Sequence, residues 1–128
     1  MKYGYTKKVN LSFTEAVEKI KEALKTGGFG VLTEIDVKAT MKQKLDVDYE
    51  EYVILGACNP QFAHRALTAE KEIGLLLPCN VIVYQDGGDT FVSAIVPTVA
   101  MSVVENEALA PLAKEVEERL LGAVNSLE

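Results

Sequence analysis

The residues best suited to chemistry are the two cysteines, each of which directly precedes an asparagine at a turn. The first motif is Gly56-Ala57-Cys58-Asn59-Pro60 and the second is Leu77-Pro78-Cys79-Asn80. Thiols can bind soft metals or act as nucleophiles, and amide side chains can orient a ligand through hydrogen bonds. The two motifs therefore predict a ligand-binding pocket formed by Cys58, Asn59, Cys79 and Asn80.

Three interpretations of the thiols remain open at this point. Both cysteines can be small buried hydrophobic residues, with Asn59 as a helix cap and Asn80 as a turn residue. They can instead bind zinc or copper(I), with His64 as a third ligand, although the paired Cys-x-x-Cys spacing of strong zinc motifs is absent. The third interpretation is a thiol enzyme, in which Cys58 at a helix N-terminus is the nucleophile and His64 is the base.

Length and composition predict one water-soluble domain over residues 1–128. A chain of 128 residues with 48% hydrophobic residues can bury a core without a disulfide. It contains no apolar run long enough to cross a membrane, and its first residues lack the pattern of a secretory signal. We therefore expect a cytoplasmic protein, no membrane partner, and reduced thiols.

The charge distribution argues against a nucleic-acid partner. Residues 1–60 hold nine lysines against nine acidic residues, while residues 61–128 hold four basic against ten acidic residues, which gives the net charge of −6. Binding to nucleic acid requires a basic surface that displaces counterions from phosphate. The acidic second half of this chain would repel phosphate instead, so we expect no nucleic-acid partner.

The first half of the chain predicts a helix and then a strand. Ser12 followed by Glu15 is typical of a capping box, and Gly27 with Gly28 provides the helix end. Apolar residues then alternate through residues 29–38, which predicts a strand with one covered face. Residues 39–48 are polar and fit a short helix or a loop equally well.

The middle of the chain holds the first cysteine motif. Residues 51–57 contain the nearly continuous apolar run Tyr52-Val53-Ile54-Leu55, which predicts a strand covered on both faces, in the centre of the sheet or at an interface. Asn59 and Pro60 are typical of a helix start, so we expect a helix from Pro60 to about Glu72. Residues 75–77 are predicted to form an extended apolar connector.

The last third of the chain predicts a hairpin and a long helix. Residues 79–85 and 90–96 alternate like strands, and Asp86-Gly87-Gly88-Asp89 between them suits a tight turn. A final helix is expected to begin near residues 108–110. A late hairpin combined with helices after strands predicts an α+β fold, in which a mainly antiparallel sheet carries helices on one face.

An apolar segment, residues 95–104, continues beyond the expected end of the last strand. An exposed patch of this kind often marks an interface, which predicts a homodimer. Packing of this segment over its own core is the alternative. A scaffold that acts only through such an interface, without chemistry at the cysteines, is therefore a further possible function.

Both cysteine motifs, together with Ala63, Ala66, Leu67 and the run Ile73-Gly74-Leu75-Leu76-Leu77, resemble the domain-of-unknown-function family numbered 302. The resemblance covers essentially the whole chain. It implies a two-layer α/β sandwich on an antiparallel sheet, similar to that of the TATA-binding protein, in a small protein that dimerises. It implies no activity, so the leading hypothesis remains a binding protein for a soft metal or a small ligand.

Overall fold

The computed structural model describes residues 2–128, whose strands form one antiparallel sheet. The five strands lie in the order β1-β5-β4-β3-β2, and every neighbouring pair is antiparallel. Their bounds are β1 (Gly4–Val9), β2 (Gly30–Asp36), β3 (Tyr52–Cys58), β4 (Cys79–Asp86) and β5 (Asp89–Ile95). The α-helices are α1 (Phe13–Thr26), α2 (Val37–Leu45), α3 (Pro60–Ala69), α4 (Pro97–Ala100) and α5 (Leu109–Asn125). Two 3₁₀ segments cover Lys71–Leu76 and Met101–Val103.

The core lies between the sheet and the helices on one of its faces. Leu55 and Val81 are register partners in β3 and β4, and both are fully buried. Ile20 of α1 and Leu120 of α5 are also fully buried in the same core. This architecture confirms the prediction of a two-layer α/β sandwich with helices on one face. Within residues 2–128, no helix combines the length and apolar character needed to cross a membrane.

The other face of the sheet carries an aromatic row. Tyr52, Tyr84 and Phe91 are register partners on β3, β4 and β5. The rings of the first pair stack with centroids 5.5 Å apart, and those of the second pair with centroids 5.2 Å apart. Cross-strand aromatic pairs of this kind stabilise the register of an antiparallel sheet.

Local sequence patterns predicted the ends of several elements correctly. The Ser12 hydroxyl accepts a hydrogen bond from the Glu15 backbone N–H at 3.2 Å, and the Ser12 N–H donates to the Glu15 carboxylate at 3.1 Å. Gly87 and Gly88 have φ of 60° and 88°, which joins β4 and β5 in a tight turn that favours glycine. Such signals depend only on residues close together in the chain.

The predicted covered face of the second strand, which includes Phe29, Val31 and Ile35, is covered only at its start. Phe29 is buried and Val31 is half-buried, whereas Ile35 is 48% exposed. The strand lies at the edge of the sheet, and its register with β3 shifts between Val31 and Thr33, which breaks the alternation. The following residues form α2, which contains no buried residue.

The segment around the second cysteine motif also differs from expectation. Helix α3 ends at Ala69, earlier than expected, and Lys71–Leu76 forms a 3₁₀ helix instead of an extended connector. Glu70 is extended between the two helical segments, and the 3₁₀ helix that follows it buries Ile73 in the core.

The apolar segment at residues 95–104 packs largely on its own core. Pro97 is buried and Met101 packs against the core, whereas Val103 is 76% exposed. The homodimer stays a prediction.

Candidate functional site

The sheet brings the two cysteine motifs to the same end of the molecule. Strand β3 ends at Cys58 and β4 begins at Cys79, and Ala57 is the register partner of Cys79. Antiparallel pairing places the end of one strand beside the start of the next. The Leu77–Pro78 peptide bond just before β4 is cis. The predicted convergence of the two thiol-bearing corners is therefore present in the fold.

A cavity of about 320 Å³ lies at this corner. Its walls come from α3 and α5, and its remaining lining comes from the end of β3, the start of β4 and residues 29, 32, 74, 77, 78 and 101. Cys58, Asn59 and Cys79 all line it, together with aromatic and aliphatic side chains such as Phe62 and Leu112. Asn59 is the only lining residue with an amide side chain, and no lining residue is charged. The cavity is therefore apolar, with the two thiols in its wall.

The two asparagines have different positions. Asn59 caps α3, where its Oδ1 accepts a hydrogen bond from the Phe62 N–H at 3.4 Å. Asn80 is exposed, pairs in register with Gly56, and is not among the residues that line the cavity. Side chains alternate along a strand, so Asn80 faces the side of the sheet opposite to Cys79. The structure thus brings three of the four predicted residues to one cavity.

His64 lies outside this cavity. It is exposed on α3 and does not line the cavity, although it follows Cys58 closely in the chain. In the part of the chain that the structure describes, no group of three His, Cys, Asp or Glu side chains could hold a metal ion. The structure consequently does not assemble Cys58, Cys79 and His64 as a three-ligand site.

The two thiols differ in exposure and in chemistry. Cys58 is half-buried, whereas Cys79 is 8% exposed. Burial, with a smaller contribution from the neighbouring Cys58, raises the pKa of the Cys79 thiol to about 11. A thiol must lose its proton to act as a nucleophile. Cys79 is therefore a neutral, apolar part of the cavity wall at neutral pH.

Two arginines that were not predicted as site residues from the sequence lie beside this cavity. Arg65 and Arg119 are the only arginines in the chain. Their guanidinium carbons lie 5.6 Å and 5.3 Å from the centre of the Phe62 ring, which is a cation–π distance. Arg65 follows Phe62 by one helical turn, which is a local pattern. Arg119 belongs to α5, and nothing in the sequence associates it with Phe62.

Comparison with known proteins assigns this chain to a family. The sequence profile described as "Domain of unknown function DUF302" matches residues 5–127. The chain belongs to the DUF302 family. A crystal structure of an uncharacterized conserved DUF302 protein from Bacillus stearothermophilus is similar to this chain over 100% of both chains, with 33% sequence identity and a TM-score of 0.94. Among curated proteins, no match is found. Membership in this family accounts for the fold of this DUF302 protein and assigns it no activity.

Proposed function

We propose that this DUF302 protein binds a small, largely apolar molecule in the cavity between α3 and α5. The observation that supports the proposal is the cavity of about 320 Å³, which uncharged residues line throughout. Binding pockets for small molecules are typically concave, mostly apolar, and roughly 300–1,000 Å³ in volume. The volume here lies at the lower end of this range and suits a small ligand.

The thiols have a supporting role in this proposal. A protonated Cys79 adds polarizable apolar surface, and the half-buried Cys58 does the same at the neighbouring strand end. A soft metal is the less supported ligand, because it requires thiolates while burial favours the protonated form of Cys79. The exposed position of His64 also offers no third ligand at this cavity.

Fluorescence titration with N-phenyl-1-naphthylamine tests the proposal, because this uncharged dye fluoresces more strongly in apolar surroundings. We expect saturable binding to the wild-type protein. Ala63 lines the cavity and is half-buried, so the ring in Ala63→Phe enters the cavity and weakens dye binding by about tenfold or more. Ala110 of α5 is exposed and does not line the cavity, so Ala110→Phe is the matched control and is expected to bind like the wild type.

Two outcomes would count against cavity binding. One is the absence of saturable dye binding to the folded wild-type protein. The other is equal dye affinity in the wild type and in an Ala63→Phe variant whose circular dichroism spectrum is native. Equal losses in Ala63→Phe and Ala110→Phe would likewise contradict the proposal, because the dye would then respond to any added ring.

A further inference from the structure

The two arginines are placed together at one wall of an apolar cavity in an acidic protein. Both contact the Phe62 ring, which itself lines the cavity, and the net charge of the chain is −6. The chain uses lysine for its other positive charges, so its two planar guanidinium groups occur only here. Guanidinium presents a fork of N–H donors that matches a carboxylate, which a lysine ammonium does not.

Arg119 and Asn59 each place a donor nitrogen close to the same point beside Gly28. A Cβ at Gly28 would lie 3.0 Å from Nδ2 of Asn59 and 3.4 Å from Nη1 of Arg119. Gly28 is exposed and has φ of +88°, a conformation that favours glycine. A side chain at position 28 would crowd both donors, so glycine allows Asn59 and Arg119 to approach the same point, and Asn59 also lines the cavity.

The present partners of Arg119 leave this guanidinium with donor capacity for a ligand. Its Nη1 donates to the Gly27 carbonyl oxygen at 3.4 Å, and its Nη2 lies 3.9 Å from the Glu115 carboxylate. Both distances are long for a charge-assisted hydrogen bond, which is typically about 2.7–2.9 Å. A carboxylate oxygen could therefore approach more closely than either existing partner.

We propose that the ligand of this cavity is a monocarboxylate with a short apolar chain. The chain occupies the cavity, and the carboxylate accepts hydrogen bonds from Arg119 and from Nδ2 of Asn59. A single negative charge suits the site, because a second charge would be repelled by Glu115 and by the acidic surface. This inference rests on the proposed function and adds the chemical class of the ligand.

Displacement of N-phenyl-1-naphthylamine by octanoate and by 1-octanol tests the inference. The two molecules have the same chain length and differ in the carboxylate. We expect octanoate to displace the dye from the wild type at about tenfold lower concentration than 1-octanol. In Arg119→Gln the advantage of octanoate over 1-octanol, both measured against the same dye in that variant, should disappear.

Arg65→Gln is the matched control, because it removes the same charge beside the same ring but not beside Asn59. We expect this variant to retain most of the octanoate preference. Equal displacement by octanoate and 1-octanol in the wild type would overturn the inference. So would an equal loss of octanoate preference in Arg65→Gln and Arg119→Gln, since that result indicates general electrostatic attraction.

The same measurements separate the two proposals. If the dye fails to bind, or binds in a way that Ala63→Phe does not affect, the cavity is not a binding site and both proposals fail. If the dye binds in the cavity and 1-octanol displaces it as well as octanoate does, cavity binding stands and the carboxylate assignment fails.

Discussion

Gly56 belongs to β3, which pairs with β2 on one side and β4 on the other. Its replacement by alanine is expected to destabilise the protein. A Cβ at this position would lie deep within the van der Waals radius of the Thr33 Oγ1 atom and 2.8 Å from Cγ of Pro78. Alanine in a strand is otherwise better than glycine by roughly 0.5–1 kcal/mol. The sign of the effect therefore depends on whether the steric cost exceeds this gain.

The two contacts differ in how readily they can be relieved. Thr33 is exposed in the edge strand β2, and its β-branched side chain has few alternative rotamers. Cγ of Pro78 belongs to a ring and cannot rotate away. Overpacking typically costs about 1–3 kcal/mol, so we expect Gly56→Ala to lower the free energy of unfolding by about 2 kcal/mol.

A double-mutant cycle assigns this cost to its cause. Thr33→Ala alone should change the free energy of unfolding by less than about 0.5 kcal/mol, because the residue is exposed. In the Gly56→Ala background, Thr33→Ala removes the contact with Oγ1 and should recover about 1 kcal/mol, while the contact with Pro78 remains. Urea-induced unfolding, followed by circular dichroism, measures all four proteins.

Two results would refute this reasoning. If Gly56→Ala is as stable as the wild type or more stable, the backbone yields easily and the close approach does not explain the glycine. If Thr33→Ala has the same effect in both backgrounds, the loss of stability does not come from the contact between Thr33 and the new methyl group.

Two further predictions concern pH and helix capping. Because the Cys79 thiol keeps its proton to a pKa of about 11 in the folded protein, against 9.0 as its ordinary value, unfolding becomes more favourable as pH rises from 9 to 11. The loss over this range is about 2 kcal/mol, so urea unfolding should show a steeper loss in the wild type than in Cys79→Ala, where burial still raises the pKa of Tyr52. Equal pH dependence of the two proteins would contradict the prediction. In the same assay, Ser12→Ala should lower the free energy of unfolding by about 1 kcal/mol, because it removes the cap of α1. The control is Thr14→Ala, which changes an exposed residue in the same turn and should lower the free energy of unfolding less. Equal losses in the two variants would argue against capping.

The sequence by itself determined the elements whose ends depend on near neighbours. The capping box at Ser12, the start of α3 at Asn59 and Pro60, and the glycine turn between β4 and β5 form through contacts that span only a few residues. The order of these elements also predicted the antiparallel sheet with helices on one face. These features required no knowledge of distant parts of the chain.

Only the tertiary structure decided which faces are covered and which side chains meet. Exposure of Ile35 follows from the place of β2 at the edge of the sheet, and the separation of Asn80 from the cavity follows from its register in β4. The meeting of Arg119 with Phe62 depends on how α5 packs against α3. Strand order and helix packing join residues that are far apart in the chain, and hydrophobic burial, which is not directional, leaves no mark of these pairings in the local sequence.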